Sequence, residues 1–137
     1  MKVSDHTLFK TGAIFYLILG AGHTIGHFIL SFIDRDASAA IDNRLAEMSF
    51  SPRVSILDIY QGFSLQMGVM LFFFGLLCLS IKKPSKKIFI ITLLTSALSV
   101  FICFIYLPRL PQVLSSIALV AFASAFVLSI RKPIAQQ

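Results

Sequence analysis

Four apolar stretches, Leu8 to Phe32, Ser55 to Ile81, Ile88 to Tyr106 and Val113 to Ile130, take up most of the 137 residues and leave little between them. A membrane-crossing helix needs about 20 mainly apolar residues. In hydrocarbon, an α-helix pairs its backbone polar groups within one segment. The chain is therefore expected to be all-α: a four-helix transmembrane bundle of antiparallel, up-and-down topology, forming one integral membrane domain over residues 1–137. The five prolines, Pro52, Pro84, Pro108, Pro111 and Pro133, all fall at the proposed boundaries, where a missing backbone donor does little harm. An apolar fraction of 57% beside 13% charged residues excludes an ordinary soluble globule. The first stretch is too long for the roughly 7–15-residue apolar core of a secretory signal and has no A-x-A-like site after it, so it reads as a retained helix.

Lysine and arginine number 12 against 6 aspartates and glutamates. These charges flank the spans instead of forming a basic face with reading elements, which argues against a nucleic-acid partner. Their distribution sets an orientation. Lys2, Lys10, Lys82, Lys83, Lys86, Lys87, Arg131 and Lys132 lie at one end of the spans. Arg35, Arg44, Arg53 and Arg109 lie at the other, balanced by Asp34, Asp36, Asp42 and Glu47. The excess of basic residues marks the cytoplasmic side. An inner-membrane protein with both termini cytoplasmic is expected, its lysine turn able to touch anionic lipid in a generic way.

Two connections at the opposite end carry information. Between Asp34 and Val54, the residues Ala37, Ile41, Leu45 and Met48 recur at helical spacing with charges between them, predicting a short amphipathic helix at the membrane surface. The junction Leu107 to Gln112 is so tight that the third and fourth spans must be antiparallel neighbours.

Polar residues inside the spans are where function is sought, because such groups are expensive in lipid unless they face the protein interior. The octet Gly20-Ala21-Gly22-His23-Thr24-Ile25-Gly26-His27 stands out. At about 100° per residue Tyr16, Gly20, His23, His27 and Ser31 share one side of the first span. Gly22 and Gly26 form a G-x-x-x-G pair on a neighbouring stripe, expected to let another helix approach closely. The second span enters with Asp58, Tyr60, Gln61 and Gln66. The third presents Thr92, Thr95, Ser96, Ser99, Cys103 and Tyr106 within one arc. Depth counted at about 1.5 Å per residue puts His27 level with Gln61, and His23 level with Leu65 and Gln66. These counts predict an outward-opening intramembrane polar pocket made by Tyr16, His23, His27, Asp58, Gln61, Gln66, Ser99 and Cys103. Mutual hydrogen bonding across the helices is the competing explanation of the same residues.

The chemistry open to such a pocket is limited. His23 and His27 at i and i+4, with Asp58 as third ligand, are candidate metal ligands. Haem is harder within one subunit, since both imidazoles leave the same face. Cys78 lies near the inner end of the second span and Cys103 near the outer end of the third, farther apart than the roughly 7 Å a disulfide allows. No phosphate-binding glycine loop or nucleophile elbow is present. The leading expectation is a binding or accessory protein without a cofactor. Its partner is a small ligand, a lipid headgroup, another membrane protein or a second copy. Two alternatives are a metal- or haem-dependent membrane redox enzyme using His23 and His27, and proton or ion transfer.

The G-x-G-H-x-x-G-H arrangement at Gly20 to His27, followed by G-F-S-L-Q-M-G at Gly62 to Gly68, resembles a group of small uncharacterised bacterial four-helix membrane proteins. The resemblance implies a location and a fold, and no mechanism. The chain is also similar to DoxX-like proteins in size and topology only.

Overall fold

A computed structural model describes residues 4–33, 43–51 and 54–131. In chain order the elements are α1 (Asp5–Ile33), α2 (43–47), β1 (Ser49–Ser51), β2 (Val54–Ser55), α3 (Ile56–Ser80), α4 (Lys86–Tyr106) and α5 (Arg109–Ile130). The helices α1, α3, α4 and α5 are each long and apolar enough to cross a membrane, which makes the chain a multi-pass membrane protein built as an all-α four-helix bundle.

Three of the four helices begin earlier than their apolar runs, because polar residues serve as their first turns. Ser4 accepts a hydrogen bond from the Thr7 amide at 3.0 Å, ahead of α1. Ser85 accepts from the Ile88 amide at the start of α4. α5 starts at Arg109, so Pro111 lies inside its first turn, where the backbone N–H groups have no helical partner in any case. The segment between α1 and α3 holds more than the expected surface helix. Its described part is one short turn, α2, with Leu45 half-buried and Met48 exposed; Ala37 and Ile41 lie outside the described residues. An antiparallel ribbon follows, pairing Ser49 with Ser55 and Ser51 with Val54, and the Ile56 amide donates to the Met48 carbonyl at 2.9 Å.

The helices pack in the order α3, α1, α5, α4. α4 and α5 are neighbours, as their tight junction requires. α3 and α4, although joined by a turn of a few residues, make no comparable interface and each packs on a different helix. The end of the bundle carrying the 82–87 turn is called the lysine end, and the end carrying the β-ribbon the loop end.

Small residues set the close contacts. α5 buries Ser115, Ala118, Phe122, Ala125 and Ser129, alternating three and four apart, the repeat that keeps one seam turned inward. Phe122 fills the space over Gly12 of α1. The aromatic core lies toward the lysine end. Phe9 meets Phe89 and Phe122 edge-on, each at 5.3 Å between ring centres, and Tyr16 meets Phe74 at 4.9 Å. In lipid such contacts hold helices together by dispersion, since burial from water adds nothing between two lipid-facing surfaces.

The α1–α3 seam runs on a different glycine set from the expected one. Gly20 lies against the backbone of Gly68 and Phe72, and Gly75 against the backbone of Ala13 and Leu17. Around Gly22 and Gly26, among the described residues, no atom outside their own stretch of helix lies within 4 Å of where a Cβ would stand. Among the described residues the G-x-x-x-G pair thus makes no close helix contact, because the seam passes along the Ala13–Gly20 face of α1 instead.

Candidate functional site

His23 is the residue around which a polar layer forms near the loop end. Its position on α1 is fixed by the seam: with Gly20 pressed on Gly68, the next turn of α1 must pass Ser64, one turn earlier on α3. His23 Nε2 lies 3.2 Å from Ser64 Oγ. Gly68 closes the layer from below; a methyl there would stand 2.5 Å from Thr24 Oγ1 and 3.2 Å from His23 Cδ2. His23 and Thr24 are only half-buried, so the layer is walled on the seam side and keeps some exposed surface.

His27, one turn farther along α1, is half-buried, and its ring meets Phe28 edge-on at 5.6 Å. Asp58 has a different task. Its carboxylate accepts from the Ser55 amide at 2.9 Å and the Ser55 hydroxyl at 2.7 Å, while its own amide donates to Ser55 Oγ at 3.1 Å. This reciprocal capping box starts α3 and satisfies two amides that the helix leaves unpaired. The carboxylate is exposed and turned back along its own chain. His23, His27 and Asp58 therefore do not assemble into a metal site; among the described residues no three histidine, cysteine, aspartate or glutamate side chains come together to hold an ion. Gln61 and Gln66 are exposed. Gln66 is two residues from Ser64, which turns it about 200° away from the seam.

The remaining expected pocket residues form a separate, deeper cluster. Tyr16 is fully buried, and Ser96 and Ser99 of α4 are the hydroxyls that face it. Neither the Tyr16 hydroxyl nor Ser96 Oγ makes a hydrogen bond within standard geometry. Thr92 and Cys103 extend this buried line along α4, with Thr92 Oγ1 donating to the carbonyls of Ile88 and Phe89. Cys78 and Cys103 are both buried free thiols. Thr92, Ser96 and Cys103 of the expected α4 arc thus face inward, Ser99 is half-buried, Thr95 is exposed, and the arc meets Tyr16 and not the histidines.

Three participants were not singled out from the sequence. Ser64 and Thr24 flank His23, and the spacing of Gly68 and Gly75 by seven residues marks the seam face to which Ser64 belongs. Gln112 of α5 donates from Nε2 to the Leu107 carbonyl at 2.8 Å and the Cys103 carbonyl at 3.4 Å, capping the end of α4. That side chain binds α5 to α4 across the junction.

No family model, curated protein or solved structure matches the chain. The fold defines a class, a four-helix multi-pass membrane protein, with a half-buried histidine paired to Ser64 between two of its apolar helices.

Proposed function

We propose that this is an inner-membrane protein with both termini in the cytoplasm, acting as a binding or accessory protein that holds a polar group of its ligand or partner at the loop-end layer of His23, Thr24 and Ser64, with His27 and Gln61 beside it. The observation that carries the reading is the His23–Ser64 pair. The seam fixes the imidazole's position and Ser64 orients its ring, yet the ring is only half-buried. A histidine serving packing alone has no need of an open side, and polar groups held in a membrane at an accessible position are candidates for recognition. The lysine-rich end supports the orientation, since basic residues are retained on the cytoplasmic side.

A photoreactive residue placed at Gln61 tests this in living cells. The reading expects a discrete adduct that disappears when His23→Ala is added, and no such adduct from a probe at Gln66. Equal labelling from both positions, or an adduct indifferent to His23→Ala, contradicts it.

A further inference from the structure

The free side of α3 carries a groove of about 610 Å³, lined among others by Val69, Phe73, Leu76, Leu77 and Ser80. Val69, Met70, Phe73, Leu76 and Leu77 are exposed, Phe74 at its edge meets Tyr16 of α1, and among the described residues α4 makes no substantial interface with α3. From Val69 to Ser80 the groove runs about 16 Å along the helix, roughly half the ~30 Å thickness of a hydrocarbon core. Its walls are almost wholly apolar side chains, and the one polar residue, Ser80, donates its hydroxyl to the Leu77 carbonyl. The groove ends at Ser80, just before Lys82 and Lys83, with Lys86 and Lys87 opening α4 directly after. All four lysines are exposed, and the first turn of α4 has no acidic residue.

We propose that this groove and lysine turn form a seat for one anionic phospholipid of the leaflet at the lysine end. An acyl chain lies along Leu77, Phe73 and Val69, and the phosphate is held by the lysines of the 82–87 turn. Each part selects a different part of one molecule. The groove matches the length of a chain in a single leaflet, and the lysines match the charge of the headgroup at the depth where a headgroup lies. The positive end of the α4 dipole lies at the same turn and adds to the attraction for phosphate, although Ser85 already caps the Ile88 amide. This seat is at the opposite end from the His23 layer and does not depend on that reading.

The test uses full-length protein in nanodiscs containing phosphatidylglycerol and phosphatidylcholine with identical chains, followed by native mass spectrometry of the lipid retained on the released protein. The native chain should retain phosphatidylglycerol over phosphatidylcholine by roughly tenfold relative to the bulk ratio. Replacing the lysines together (Lys82→Gln, Lys83→Gln, Lys86→Gln, Lys87→Gln) should bring the ratio to parity. Filling the groove (Val69→Trp, Leu76→Trp) should release the lipid although every lysine remains. Parity in the native chain overturns the proposal, as does enrichment that survives either set of changes. A groove-dependent dimer without bound lipid overturns it too, in favour of a second copy as the occupant. Far-UV circular dichroism confirms that each variant keeps its helices.

Discussion

Gly20 of α1 and Gly68 of α3 are in backbone contact: a methyl at position 20 would stand 2.7 Å from the Gly68 carbonyl oxygen. No rotation of a side chain relieves that clash, because the neighbouring atoms are main chain. Gly20→Ala should therefore spread the seam and destabilise the bundle by about 1–3 kcal/mol. Gly22→Ala and Gly26→Ala, in open space, should be neutral or stabilising by up to about 1 kcal/mol through helix propensity. Reversible unfolding in mixed micelles, followed by circular dichroism, separates the two classes.

The His23–Ser64 contact gives a second expectation. A double-mutant cycle with His23→Ala and Ser64→Ala should return a coupling of about 0.6 kcal/mol, the ordinary size of an interhelical hydrogen bond in lipid. A coupling of zero would show that the two side chains do not act together.

How far the sequence carried the fold, and where it stopped, follows from what each pattern encodes. Four long apolar runs leave little choice but four spanning helices, and the Leu107–Gln112 junction is short enough to force α4 beside α5. The β1–β2 ribbon was not legible, because Ser49–Ser51 and Val54–Ser55 are too short to show a strand period. The site was legible in part. Periodicity placed Tyr16, His23 and His27 on one side of α1, but which residues of α3 face them depends on the seam register. Backbone contacts at Gly20 and Gly75 set that register, and a hydropathy pattern does not record them. Asp58 shows the same limit: read as an acid near the end of a span it suggested a ligand, whereas Ser55, three residues earlier, makes it a helix cap.

Gln112 is expected to matter beyond its modest appearance. Its amide donates to two carbonyls at the end of α4, so Gln112→Ala should leave them without that partner and lower stability by about 1 kcal/mol. Gln112→Glu should do worse, since a carboxylate cannot donate and faces the negative end of the α4 dipole. Thermal unfolding of the two variants against the native chain checks the order.

The orientation has its own check. With Cys78 and Cys103 buried, a cysteine introduced at an exposed site should dominate labelling by a membrane-impermeant maleimide. Glu47→Cys should react in intact cells whose outer barrier is permeable to the reagent. Lys83→Cys should react only after the inner membrane is opened. The reverse pattern would invert the topology.

The central claim is that the half-open layer around His23 binds something, and the most direct measurement is native mass spectrometry of the protein extracted gently from its own membranes. The account predicts a bound species on the native chain and on Asp58→Ala, absent from His23→Ala with His27→Ala although that variant keeps its helices. Identical spectra for all three proteins would contradict it and leave the histidines as a packing feature of the α1–α3 seam.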